Sequence, residues 1–123
     1  MLLNDISGVI VDSAMHVHSA LGPGLLESTY EACLIHELKS RDLLVQNQLA
    51  LPVNYRDMQI DTGYQIDLLV EKEVIVELKA VEKLLPIHQA QLLTYLKLSQ
   101  KKVGLLINFN SLRLKYGIKR IAN

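Results

Sequence analysis

Asp67, Glu77 and Lys79 are the residues of this chain whose types and spacing suggest chemistry. They lie in one run, Gly63 to Ala80, that alternates apolar and polar residues and breaks only at Glu71-Lys72-Glu73. That pattern predicts a β-hairpin, with strands over about residues 64–70 and 74–80. Side chains on a strand alternate between faces. Ile66, Leu68 and Val70 are then expected on one face and Asp67 on the other. On the second strand Val74, Val76 and Leu78 share a face, while Glu77 and Lys79 point the opposite way. Asp67 and Glu77 are each five residues from Lys72, so a hairpin folded about Lys72 sets them opposite each other. A slip of one residue would part them.

Two carboxylates at cross-strand distance repel, and an apolar setting strengthens the repulsion. A divalent cation relieves it. Oxygen ligands alone favour a hard ion such as Mg²⁺ or Mn²⁺. Such an ion polarises a phosphoryl oxygen and acidifies a bound water. Lys79 is then placed to orient or deprotonate that water, or to stabilise transition-state charge. The bland alternative is a surface hairpin with a Glu–Lys pair and an unrelated Asp.

The elements that must position these residues are legible on either side. Ile6, Val9, Ile10, Ala14, Val17 and Leu21 recur at helical spacing and predict a first helix over residues 4–21, capped by Asn4 or Asp5. Gly22-Pro23-Gly24 ends it. His16 and His18 face different ways and make a poor chelating pair; His18 is expected to contact the turn that follows. A second helix is predicted over residues 25–41, with Leu26, Tyr30, Cys33, Leu34 and Leu38 on one face. Glu27 falls in its first turn, where the helix dipole alone accounts for an acid. Residues 44–55 read as extended, with Pro52 marking an edge or an irregularity. Residues 56–59 read as a turn. Pro86 opens a third helix running to about residue 100, with Gln91 and Tyr95 one turn apart. Residues 102–109 read as a buried strand, and residues 112–121 as one or two strands at the sheet edge.

At 123 residues, half of them apolar, the chain is long enough for one domain with a sizeable core and leaves no room for a separate binding module. No apolar run is long enough to span a membrane. The first residues lack the basic start of a signal peptide. The single cysteine, Cys33, has no internal disulfide partner and is expected in the core. A cytoplasmic location follows as the expectation. The net charge is zero but unevenly spread. Residues 1–83 hold all 13 acids and 6 of the 13 bases, whereas residues 84–123 hold only bases. An acidic half followed by a basic half suits a protein that brings a metal to a polyanion, with Lys97, Lys101, Lys102, Lys119 and Arg120 as candidate phosphate contacts. If the halves interleave in space, the field averages out.

Longer motifs now join up. Gly24-x-x-Glu27-x-x-Tyr30 follows Val17-His18-x-x-Leu21-Gly22-Pro23. Downstream stand Ile75-Val76-Glu77-Leu78-Lys79-Ala80, His88-x-x-Gln91-Leu92-Leu93-x-Tyr95 and Val103-Gly104-Leu105-Leu106-Ile107-Asn108-Phe109. Together they resemble the small GxxExxY protein family of the PD-(D/E)XK nuclease-like superfamily, over nearly the whole chain. The resemblance implies an α/β fold with a restriction-endonuclease-like core, a mixed sheet flanked by helices in the order α-α-β-β-β-α-β-β. It matches Asp67 to the first acid of the pattern and Glu77-x-Lys79 to its E-x-K. Glu27 matches the helix acid of many members, and Gln91-x-x-x-Tyr95 a supporting element of RecB-like nucleases. Ile66 stands where the pattern has proline, which leaves the acid in place.

The implied activity is a Mg²⁺- or Mn²⁺-dependent nuclease acting on DNA or RNA. Glu27, Asp67, Glu77 and the Leu78 carbonyl would hold the metal. Lys79 would serve the attacking water, with Gln91, Tyr95, Tyr30 and His18 in support. A competing reading keeps the fold as a binding or regulatory module without turnover; the scarcity of aromatics for base stacking favours it. A third is an interaction subunit using the apolar surface of its helices. A homodimer is expected from the apolar content of a short chain.

Overall fold

The computed structural model describes residues 1–61 and 63–123. The helices are α1 (Leu3–Leu21), α2 (Glu27–Ser40) and α3 (Pro86–Ser99). The strands are β1 (Val45–Ala50), β2 (Val53–Tyr55), β3 (Met58–Ile60), β4 (Gln65–Val70), β5 (Val74–Lys79), β6 (Val103–Asn108) and β7 (Ile118–Ala122). A turn of 3₁₀ helix, Leu114–Gly117, precedes β7.

Five strands form a mixed sheet in the order β1-β4-β5-β6-β7, and β2 pairs only with β3. β5 and β6 run parallel, joined through α3; every other pairing is antiparallel. The helices cover both faces. Ile6, Ile10, Ala14 and Val17 of α1, with Tyr30, Leu34 and Leu38 of α2, pack on Leu68, Val70, Val74, Val76, Leu105 and Ile107. Leu92, Tyr95 and Leu96 of α3 pack on Leu69, Ile75 and Leu106 on the other face. Covered on both sides, the central strands are buried almost end to end, which is why they read as apolar runs.

The hairpin of β4 and β5 turns on Glu71-Lys72-Glu73, with Glu71 and Lys72 in left-handed conformations (φ 54° and 57°). Its register, Val70↔Val74, Leu69↔Ile75 and Leu68↔Val76, is the one that sets Asp67 opposite Glu77.

The structure corrects the expected order in one place. Pro52 breaks the long extended segment, and a small hairpin, β2–β3, stands apart from the main sheet. The expected turn over residues 56–59 shrinks to Arg56-Asp57, because Met58 and Gln59 are strand residues. A second correction concerns helix starts. α1 begins at Leu3, with Asp5 inside its first turn accepting the Leu2 N–H at 3.4 Å, so neither Asn4 nor Asp5 is the cap. α2 begins at Glu27 rather than at residue 25.

A third correction bears on the site. A regular strand keeps residues two and four apart on one face. Leu68 packs under α1 and α2, but Ile66 packs with the α3 cluster. On the paired strand Val45 packs under α1 and α2, whereas Leu49 joins the α3 cluster. Both strands change face across Gln48 and Asp67, which sit between the pairs Asn47↔Leu68 and Leu49↔Ile66. Gln48 is left-handed at φ 51°. The expectation that Ile66 shares a face with Leu68 and Val70 therefore fails, and it fails at the acid.

Candidate active site

The backbone ladder between β4 and β5 stops at Leu68↔Val76. Beyond it, side chains take over. The Asp67 N–H donates to Glu77 Oε2 at 2.8 Å, and the Leu78 N–H donates to Asp67 Oδ2 at 2.8 Å. Each acid accepts from the backbone of the other's strand, so the two carboxyl groups stand in for the ladder where the strands part.

Burial sets their electrostatics. Glu77 is 5% exposed. Loss of hydration, followed by the charge of Asp67, pushes its carboxyl up to about 8. Glu27, on the first residue of α2, is also raised, by partial burial first and then by Asp67; Lys79 opposes the shift and Glu31 adds to it. Lys79, at the end of β5, thus lies within the field of both acids, yet among the described residues it forms no close ion pair.

Tyr30 reaches the site through Glu27. Its hydroxyl donates to the Gly22 carbonyl at 2.5 Å and accepts from the Leu25 N–H at 3.0 Å. These bonds clasp Gly22-Pro23-Gly24, whose glycines are left-handed (φ 73° and 98°), and so fix where α2 starts. The Tyr30 ring stacks on Phe109 at 4.6 Å between centroids. His18 meets the following turn through its backbone, the carbonyl accepting the Gly22 N–H at 2.7 Å. Its Nε2 lies 2.8 Å from the Ser111 carbonyl and ties α1 to the segment after β6.

Tyr95 comes close enough to feel the acids. Its hydroxyl is raised by burial first, then by Glu77, Tyr64 and Asp67. Gln91 lines a groove beside it rather than bonding an acid. Asn108, paired with Lys79 across β5 and β6, clamps the exit of β5: its Nδ2 donates to the Val81 carbonyl at 2.9 Å and its Oδ1 accepts the Val81 N–H at 3.0 Å.

Three residues escape the sequence reading. Glu31 stands one turn after Glu27, and its carboxyl is raised by burial first, with Gln48 opposing and Asp67 adding. Gln48 bridges the two acids, its Nε2 donating to Glu31 Oε1 at 2.7 Å and lying 3.4 Å from Asp67 Oδ1. Tyr64 packs against Tyr95, centroids 6.3 Å apart. The i, i+4 spacing from Glu27 is a signal that reveals Glu31; no sequence signal marks Gln48.

The basic residues do not assemble into one patch. Val103 pairs with Val74 and Asn108 with Lys79, so Lys101 and Lys102 lie at the end of the sheet away from Glu77 and Lys79. Lys97 lies in the last turn of α3, next to them in sequence. On β7, Lys119 pairs with Leu106, which pairs with Glu77, placing Lys119 on the sheet face of Glu77. Arg120 faces the other way and donates to Asn4 Oδ1 at 3.0 Å.

The donor set fits a hard divalent cation in kind: three carboxylates, of which Glu27 and Glu77 are raised partly by the charge of Asp67. Among the described residues, however, no three Asp, Glu, His or Cys side chains are gathered tightly enough to share one ion. One oxygen each of Asp67 and Glu77 is turned onto a backbone amide instead.

The family model of the PD-(D/E)XK nuclease superfamily matches residues 4–121, and the chain belongs to that superfamily. Its mixed five-stranded sheet between helices is the restriction-endonuclease-like fold. Nucleases of this superfamily act on nucleic acid and generally use divalent metal ions. Neither a curated protein nor a solved structure matches the chain significantly. Among the described residues, no helix is long and apolar enough to cross a membrane.

Proposed function

We propose that this chain hydrolyses phosphodiester bonds of DNA or RNA with a divalent cation, Mg²⁺ or Mn²⁺, held by Glu27, Asp67, Glu77 and the Leu78 carbonyl. The observation that carries the reading is Glu77: a carboxyl 5% exposed, opposite Asp67 and two residues from Lys79, is a costly arrangement for a fold to keep. The bound ion would polarise the scissile phosphate and acidify the attacking water. Lys79 orients that water and faces the charge that grows on the phosphoryl oxygens. Gln48 holds Asp67 and Glu31 in place, Tyr30 sets Glu27, and Tyr95 closes the side of Glu77. Within the superfamily, the Gly24, Glu27 and Tyr30 spacing supports placement among GxxExxY proteins. The test is incubation of purified protein with Mn²⁺ or Mg²⁺ and a panel of single-stranded, duplex and branched nucleic acids. Cleavage by the native chain that is lost in Asp67→Ala supports the reading; no cleavage of any substrate by the native chain rejects it.

A second reading, a nucleic-acid-binding or protein-binding module that keeps the fold without turnover, is favoured by one observation: among the described residues, the carboxylates are not gathered around a point. Binding of the same panel with no cleavage would select it.

A further inference from the structure

We infer that the groove walled by Tyr64, Tyr95, Ile87 and Gln91 is a subsite for one unstacked nucleobase of the substrate strand, next to the carboxylates. The inference rests on the nuclease reading above and adds a substrate class to it: single strands, frayed ends or flipped nucleotides.

The groove has a volume of about 390 Å³ and lies between α3, the start of β4 and the β2–β3 hairpin, which contributes Val53. That size lies in the lower range of small-ligand sites. Its position decides the occupant. Tyr95 is a shared wall: it lines the groove and packs in one cluster with Ile66, the neighbour of Asp67, and Ile75, two residues before Glu77 on β5. A strand whose phosphate sits at the acids therefore brings a neighbouring base to the groove.

The walls suit a base face. Tyr64 is 47% exposed, and its backbone is pinned by the Leu51 N–H, which donates to the Tyr64 carbonyl at 2.8 Å. Its ring is braced against buried Tyr95 at 59° between planes. Ile87, 67% exposed, supplies an apolar flank. Gln91 carries a donor and an acceptor on one amide, and no other described group hydrogen-bonds that amide, so it is free to read a base edge. Within a duplex the base faces are covered by stacking; only an unpaired or extruded base can offer one. Stacking on aromatics accepts any base, so the subsite selects strand state over sequence.

The test is binding of a short single-stranded DNA oligonucleotide, its duplex form, and the same single strand with every nucleotide abasic, by fluorescence anisotropy in Ca²⁺ buffer. Tyr64→Leu keeps the groove apolar and removes the aromatic face, while Tyr64→Phe keeps the face. The expected result is a loss of roughly tenfold or more on the single strand for Tyr64→Leu. Tyr64→Phe should bind normally and duplex binding should not change. The loss should vanish on the fully abasic strand. Native-like binding by Tyr64→Leu, an equal loss on duplex, or an equal loss on the fully abasic strand overturns the subsite. So does a change in mass by light scattering with strand binding intact, which assigns the groove to a second copy of the chain. Cleavage in Mn²⁺ is scored separately. Base coupling without cleavage removes the nuclease reading alone, and cleavage without base coupling removes the subsite alone.

Discussion

Asp67 and Glu77 cross-brace the point where β4 and β5 separate: the Asp67 N–H donates to Glu77, and Asp67 accepts from Leu78, the residue after Glu77. The same two bonds that lock the strands also bring two carboxyl groups together where Glu77 is buried. Stability and site electrostatics are therefore coupled, and the coupling has a sign.

Glu77 titrates near 4.5 when unfolded and at about 8 when folded. Between those values the folded chain holds a proton that the unfolded chain has released. Raising the pH from about 4.5 to 8 must then lower stability, on the order of a few kcal/mol in total. A divalent cation bound to the charged form should restore stability by mass action. Thermal melts across this pH range should show a falling Tm without metal and a flatter curve in millimolar Mn²⁺. Glu77→Gln should flatten the metal-free curve and abolish the Mn²⁺ shift. A native Tm that rises over this range would contradict the assigned burial.

Gln48 carries a left-handed backbone, which costs a non-glycine residue about 1–2 kcal/mol. Its amide bridges Glu31 and Asp67 in return. Gln48→Gly and Gln48→Ala both remove the bridge, but only the alanine keeps the strain. The glycine variant should be more stable than the alanine variant by about 1 kcal/mol in urea melts. Both should lose cleavage to a similar extent, because both release Asp67. Equal stability of the two variants would mean that the conformation carries no strain.

Much of this site is legible in the sequence, and the limit falls at Gln48. Alternation on either side of Glu71-Lys72-Glu73 is enough to place Asp67 opposite Glu77, because the apolar residues of both strands must face helices. The order of helices and strands follows from clear periods and from Gly22-Pro23-Gly24 and Pro86. Alternation assumes regular strands, however, and the strands change face at Gln48 and Asp67, so Ile66 lies on the side opposite to the one alternation predicts. The β2–β3 hairpin escapes such a reading because its strands, Val53-Asn54-Tyr55 and Met58-Gln59-Ile60, alternate over only three residues each and are largely exposed, too short a run for the alternation to stand out. Sequence position groups the basic residues, whereas β7 alternates and sends Lys119 and Arg120 to opposite faces.

Tyr30 positions Glu27 at a distance, through the Gly22 carbonyl and the Leu25 N–H. Tyr30→Phe keeps the ring stack on Phe109 and removes only the hydroxyl. It should cost about 1–2 kcal/mol in stability, since a carbonyl and an amide lose their partner. Isothermal titration should show weaker Mn²⁺ binding than native, because α2 no longer starts at a fixed place. A variant with native affinity for Mn²⁺ would show that Glu27 is not a ligand or is set by other contacts.

Lys79 and the lysines at the far end of the sheet separate chemistry from binding. Lys79 lies two residues after Glu77, whereas Lys101 and Lys102 lie beside Val103, which pairs with Val74 at the opposite end of β5. Lys79→Ala removes one charge but should leave nucleic-acid affinity nearly unchanged, while the cleavage rate falls by orders of magnitude, because the role proposed for Lys79 is exerted in the transition state. Lys101→Ala with Lys102→Ala should show the reverse. If these lysines neutralise phosphates, binding weakens for every sequence, and the slope of log affinity against log salt falls by roughly one for each phosphate left without its lysine. The rate of cleavage at saturating substrate should hold. Single-turnover rates and salt titrations on the two variants make the comparison. Parallel loss of affinity in both, with no change in any cleavage rate, would remove Lys79 from the chemistry and leave the binding-module reading in its place.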